Sequence, residues 1–434
     1  MKTILIVGAG TGGTMMANHL RRKTDLAECR IVVVDRDATH YYQPGFLFMP
    51  FGLYSAAEVT KPKRKFIPAG VEYIEAQIER IDADHGKVLL ATGAEVNYDV
   101  LVIATGANIS PDQTEGMLGG DWCRRVFDFY TFEGASALNS ALETWKGGRL
   151  VVHICEMPIK CPVAPLEFTF LADWWLTTRG LRNKTELVFV TPLSSAFSKP
   201  VCANVLGYML AEKRIEAVTE FSIARVDNDK HEIVSWDEKR VPYDLLVTIP
   251  TNMGDSLIER SGLADDLNFV PTDPNTLQSK SHANIFVIGD AADVPASKAG
   301  SVAHFEAGVL TENILRFMRG EPLQKDFDGH ANCFVESGFG KAFLLDFNYR
   351  VEPVQGSFPL PVVGPFSLLK ESRINHWGKL AFKWIYWNVL LKAHPLPGIS
   401  NRMSRAGKRI PVEDAQTGAA SQTPSAEKES WQKG

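Results

Sequence analysis

The chain has 434 residues, 45% hydrophobic and 22% charged, enough for two or three domains with sizeable cores and not the composition of a disordered protein. Its 46 Lys+Arg against 51 Asp+Glu leave a formal charge of −5, without the basic excess that nucleic-acid phosphates require, so no nucleic-acid partner is expected. Six cysteines in this length are no disulfide scaffold, and no run of about 18 apolar residues offers a membrane-spanning helix.

The chain opens MKTILIVGAGTGG, which enters a strand at Thr3–Val7 rather than forming a secretory leader, so ordinary export is not expected. Gly8, Gly10 and Gly13 fit GxGxxG between that strand and an amphipathic helix reaching about Arg22. The first glycine allows the turn, the second lets a pyrophosphate approach the backbone, and the third lets helix pack on strand. Arg30–Asp35 is a second buried strand, with Asp35 where a carboxylate holds ribose hydroxyls. Val71–Ile81 and Gly86–Ile103 are strand-rich, with a turn at Thr92-Gly93. Leu150–Ile154 begins a second strand–loop–helix unit that continues into the strand Glu186–Val190. Ile285–Ile288 is a short strand running into Gly289-Asp290, with a helix expected from near Ala291 and Lys298 within it. From about Asp326 prolines accumulate, then an aromatic stretch spans Ile374–Leu391, and from about Ala406 the composition reads as a solvated tail.

Two segments distinguish FAD from NAD. Tyr98–Ala107 (YDVLVIATGA, with Thr105 and Gly106) resembles the ATG motif of flavoproteins with two dinucleotide domains. Ala283–Asp293 (ANIFVIGDAAD) resembles their closing GD motif, which implies that Asp290 bonds the ribityl chain. The expected fold class is therefore α/β, with two Rossmann-like dinucleotide-binding domains and a C-terminal membrane-associating segment. The FAD-binding domain is expected at 1–113 and 270–325, the second Rossmann-like domain at 114–269, the quinone and membrane region at 326–405, and the tail at 406–434. No metal site is expected.

The second Rossmann-like unit lacks its glycine loop. Leu150–Pro165 reads LVVHICEMPIKCPVAP, without one glycine, so side chains block a second pyrophosphate and NADH is an unfavourable donor. What stands there is Cys161, between Lys160 and Pro162 at the start of a helix, and both features favour thiolate. Cys29, Cys123, Cys155 and Cys202 read as structural cysteines.

MPIKCPVAP, and Asn332-Cys333-Phe334 followed by GFGKAFLLDFNY, resemble the two redox-cysteine segments of the sulfide:quinone oxidoreductases, a resemblance running from residue 1 to about Gly398. It implies that Cys161 and Cys333 face each other beside the flavin, bridged by sulfur, and that sulfide attacks the bridge. It implies proton transfer by Glu167, set against the alternative of a solvated helix carboxylate, and a quinone held between Phe334 and Phe382 with Lys379 stabilising charge. Lys298 shares that last role or is a surface lysine. Some members carry a further cysteine linked to covalent flavin; Tyr130-Thr131-Phe132-Glu133 stands there, so the FAD is expected to be noncovalent. Histidines near the active site of some members have no counterpart at Gly134 or Phe197-Ser198, which puts a two-histidine relay in doubt.

Within Ser372–Leu391, Trp377, Trp384 and Trp387 fall near one helical face with Leu380 and Leu391, and Lys379, Lys383 and Lys392 add positive charge. Such a segment suits a bilayer surface, or else an ordinary core helix. The expectation is a peripheral protein of the cytoplasmic membrane that oxidises sulfide and reduces membrane quinone, with homo-oligomers left open. Its rivals are the flavin subunit of a sulfide dehydrogenase donating to a cytochrome, a type II NADH:quinone dehydrogenase, and a noncatalytic flavin-binding redox sensor.

Overall fold

The computed structural model describes residues 1–396 and 398–410. Strand β1 (Lys2–Val7) is followed by α1 (Thr11–Lys23), β2 (Cys29–Asp35), β3 (Val71–Glu75) and β4 (Val100–Ile103). All four strands run parallel, and β1, β2 and β4 carry buried Ile, Leu and Val runs without polar alternation, as strands covered on both faces must. A second sheet takes β5 (Val126–Phe127), β6 (Gly148–Ile154), β7 (Thr185–Val190), β8 (Glu216–Val218) and β9 (Leu245–Ile249), in the order β5-β9-β6-β7-β8. Helix α2 (Ala164–Thr178) crosses between β6 and β7, and twelve of its residues are buried. The chain then returns to the first sheet through β10 (Ile285–Val287), which pairs with β4 and completes the order β10-β4-β1-β2-β3.

The helix expected from Ala291 starts later. Gly289–Ala291 is one 3-10 turn, and α3 runs from Gly300 to Met318, so Lys298 lies in the loop before the helix. Pro295 accounts for the delay, because it has no N–H to donate and keeps the preceding residue out of helical geometry.

The remaining chain forms a four-stranded sheet of β11 (Ala331–Gly338), β12 (Lys341–Phe347), β13 (Gly356–Leu360) and β14 (Gly364–Leu368), in the order β11-β12-β14-β13. Helix α4 (Arg373–Ile385) lies on this sheet, its N-terminus capped by the Ser372 hydroxyl accepting from the Asn375 amide at 3.1 Å. One contiguous core joins both parallel sheets to α2, α3 and the Tyr386–Leu391 turns, so the C-terminal unit is packed into the body of the protein. The first residues read as tail are also packed. Gly407 accepts from the Ser357 amide at 3.1 Å, and the buried Lys408 ammonium pairs with the buried Asp346 at 2.6 Å. The rest of that stretch, from 411, lies outside the described residues. Among the described residues no helix is long and apolar enough to cross a membrane.

Candidate functional site

A single cavity of about 530 Å³ runs from the β1–α1 turn to the face of α4. At its first end two of the three glycines are spatially required. A Cβ on Gly8 would stand 2.4 Å from the Ala104 carbonyl oxygen, and one on Gly13 1.8 Å from that of Gly8, whereas one on Gly10 meets nothing within 4 Å. The loop is thus closed behind and open toward the cavity, and the first turn of α1 has no side-chain cap or acidic residue competing for its amides. Asp35 accepts from the Ala9 amide at 2.5 Å and from the Lys63 ammonium at 2.6 Å, which holds the carboxylate at the cavity wall. Thr105 Oγ1 is buried without a protein partner. An anion-ready helix end, a placed carboxylate and an orphaned hydroxyl fit the diphosphate and ribose of a dinucleotide. Thr105, Gly106, Asp290 and Lys298 line the same cavity.

Lys298 donates to the carbonyls of Asp290 and Ala292, both at 2.9 Å, and so braces the turn that presents Asp290. The Gly289 amide donates to Glu306 on α3 at 2.6 Å, and burial pushes that carboxyl up to about 7.

Cys161 and Cys333 line this cavity together, although they are far apart in sequence. Cys161 sits in the left-handed region at φ 44°. Its amide donates to the Lys298 carbonyl at 2.6 Å, and its own carbonyl accepts from the Ala164 amide and the Tyr130 hydroxyl. The backbone at the thiol is therefore tied both to the helix behind it and to the loop that follows Asp290. The expectation of a thiolate is corrected here. Burial pushes the Cys333 thiol up to about 11 and raises Cys161 further, with Glu167 and Cys333 adding to the rise and Lys379 opposing it. Desolvation outweighs the cationic neighbour and the helix end.

Glu167 is not a solvated helix carboxylate. It is fully buried, and its Oε1 accepts from the Lys379 ammonium at 2.7 Å and from the Glu336 amide at 2.8 Å. Its Oε2 is buried without a partner, and burial raises the carboxyl above the usual range while Lys379 opposes. Lys379 also donates to the carbonyl of Phe334 at 3.0 Å, so α4 is pinned to the residue next to Cys333. Phe334 and Phe382 line the cavity beside this ammonium.

The aromatic face of α4 is narrower than expected. Ile374, Trp377, Leu380 and Trp384 are exposed, Trp377 and Trp384 at 64% each, but Trp387 and Leu391 are buried. The helix changes to a π turn at Tyr386–Leu390, which rotates Trp387 inward onto Phe66, stacked at 5.2 Å. Sequence reasoning also missed Lys63, Glu306, Glu336 and Tyr386. The Tyr386 hydroxyl meets Thr11 Oγ1 and His40 Nε2, each at 2.7 Å, joining the C-terminal element to the glycine loop. Only Glu306 carries a local signal, as an acid on the apolar face of AHFEAGVL. The exposed Leu360, Val362 and Val363 of the β13–β14 hairpin were missed too.

Residues 2–152 match the pyridine nucleotide-disulphide oxidoreductase family. The mitochondrial sulfide:quinone oxidoreductase of Dictyostelium discoideum is 29% identical, covering 90% of this chain and 86% of that protein, and the mouse protein of the same name is 25% identical with the same coverage. The crystal structure of the sulfide:quinone oxidoreductase from Aquifex aeolicus superposes with a TM-score of 0.74 at 21% identity, covering 90% of this chain and 92% of that one.

Proposed function

We propose that this chain, a homologue of the sulfide:quinone oxidoreductases, is itself an FAD-dependent enzyme that oxidises sulfide at Cys161 and Cys333 and reduces a quinone beside Phe334, Lys379 and Phe382. The observation that carries this reading is the shared cavity, in which the glycine cradle, both thiols and the Lys379–Phe382 face of α4 meet. FAD held noncovalently by Gly8, Gly10, Gly13, Asp35, Thr105, Gly106 and Asp290 supplies a two-electron carrier between the sulfurs and the quinone. Residues 1–113 and 270–325 form the unit that holds it, 114–269 carries Cys161, and 326–405 carries Cys333 and the quinone site.

Cys161 and Cys333 are free thiols in this structure, and in the oxidised form of the pair hydrosulfide attacks the bridge between them. One S–S bond breaks, one cysteine becomes a persulfide, and the other leaves as thiolate. Joining the persulfide sulfur to that thiolate closes a bridge longer by one sulfur and releases two electrons. Two protons and those electrons convert quinone to quinol. The buried Lys379 ammonium stabilises the leaving thiolate, whose charge is otherwise penalised by burial, and Glu167 takes and returns protons through Lys379. Lys298 braces the backbone that presents Asp290.

The exposed Ile374, Trp377, Leu380 and Trp384 of α4 and the tip Leu360–Val363 favour attachment to a bilayer surface, from which a lipid-soluble quinone reaches Phe382. Such a surface supports quinone over a cytochrome as acceptor. The testing experiment is anaerobic titration of the yellow protein with sulfide and then a soluble quinone. Sulfide is expected to bleach the flavin and quinone to restore it, with Cys161→Ser blocking the bleaching while retaining FAD. A flavin that stays oxidised in sulfide, or a Cys161→Ser protein with full turnover, refutes the reading.

A further inference from the structure

Glu336 is a buried acid that the steps above do not use. It lies on β11, three residues beyond Cys333, and is 1% exposed. Its two carboxylate oxygens lie 2.9 and 3.0 Å from Nδ1 of His376. His376 stands on α4 one turn before Lys379, and its side chain is 23% exposed. A carboxyl enclosed in the protein is thus joined by one hydrogen bond to an imidazole that reaches solvent. At its inner end, the Glu336 amide donates to the same Glu167 oxygen that receives the Lys379 ammonium. The charged groups facing Glu336 are Lys379 from α4 and Glu167 from α2, with the Tyr54 phenol also within electrostatic range. Lys341 and Glu371 at the strand end are paired with each other at 2.9 Å. Burial holds the Glu336 carboxyl up at about 8 and lowers His376, so the acid keeps its proton near neutrality and the ring is neutral.

We propose that Glu336 and His376 form the outer half of a proton path that reloads Lys379 while the quinone is reduced. The proposal rests on the sulfide:quinone reading. Lys379 gives a proton to a reduced quinone oxygen. The Glu336 carboxyl returns one to the amine, by a turn of its side chain or across one water. The carboxylate left behind takes the Nδ1 proton of His376 while Nε2 takes one from bulk water, and a half-turn of the ring or proton exchange with solvent restores the Nδ1–H tautomer before the next cycle. Only O–H and N–H bonds change, no electrons move, and one proton is delivered for each one taken up.

The test uses the FAD-loaded protein and its Glu336→Gln and His376→Ala variants, with the two half-reactions followed separately by stopped-flow absorbance. Quinone reoxidation of the flavin is expected to slow by about tenfold or more in both variants, with its pH profile altered, while sulfide bleaching stays within about twofold. Added imidazole is expected to restore the His376→Ala rate. Infrared spectra of the resting proteins, which need no turnover, should show a protonated-carboxyl band that Glu336→Gln lacks. Unaltered reoxidation in both variants between about pH 6 and 9 overturns the proposal. So does a parallel loss of both half-reactions without imidazole rescue, which marks a structural pair. If sulfide fails to bleach the wild-type flavin, the functional reading fails first and takes the proposal with it.

Discussion

Replacing Lys379 with Met tests the site at its most buried ion pair. The substitution keeps a long apolar stem but removes the ammonium that donates to Glu167 at 2.7 Å and to the Phe334 carbonyl at 3.0 Å. The Glu167 side chain is 1% exposed, and its Oε2 already has no partner. Removing one member of such a pair costs about 3–5 kcal/mol, unless the orphaned carboxyl escapes by staying protonated. The sign follows from that escape. With its folded pKa raised above the unfolded value, Glu167 binds more protons in the folded state, so stability falls as pH rises from the unfolded pKa toward the folded one. One such group steepens that loss by at most ~1.36 kcal/mol per pH unit within this window. Glu336 contributes a slope of the same sign, and because Lys379 also lowers its carboxyl, the comparison is repeated in a Glu336→Gln background to isolate Glu167. The assay is urea unfolding of the FAD-loaded proteins at several pH values, with the Glu167→Gln/Lys379→Met double variant expected to lose the extra slope. A Lys379→Met midpoint that tracks the wild type at every pH would falsify the reasoning about a buried, coupled pair.

Four further outcomes are expected. Gly10→Ala should fold with wild-type stability but retain FAD at least about tenfold more weakly, seen as flavin absorbance per protein, because its Cβ enters open cavity. Gly13→Ala should instead cost about 2 kcal/mol or more in unfolding, because its Cβ strikes the Gly8 carbonyl; equal behaviour of the two variants contradicts the cradle geometry. Trp377→Ala/Trp384→Ala should lower binding to lipid vesicles about thirtyfold, taking ~1 kcal/mol for each exposed ring, without loss of FAD; unaltered sedimentation with vesicles would remove α4 from the membrane face. Phe382→Ala should raise the quinone KM and leave sulfide bleaching intact, and loss of bound FAD instead would mean that the acceptor site is misplaced.

Much of the flavin end was legible in the chain because its chemistry is local. Gly8 and Gly13 have to be glycine for reasons set by atoms within a few residues or beside the next strand, Gly10 faces open cavity in the same short turn, and the parallel strands declare themselves as unbroken Ile, Leu and Val runs. The missing glycines of Leu150–Pro165 were equally readable. The thiols' state was not, since Lys160 and a helix end predicted thiolate while the measure of burial that reverses this is a property of the packed molecule. Trp387 shows the same limit, because helical periodicity holds only while the helix does, and the π turn at Tyr386 breaks it.

The sequence by itself determined the α/β class and the dinucleotide turn, each fixed by backbone requirements over short spans, while the two cysteine segments were legible through family resemblance. The tertiary structure alone decided which distant groups meet. It brought Cys161 to the cavity that holds Cys333, Lys379 to Glu167, and Tyr386 to Thr11. Those pairings depend on how helices and sheets stack to bury their apolar faces, and burial is also what sets the charge of the groups so enclosed.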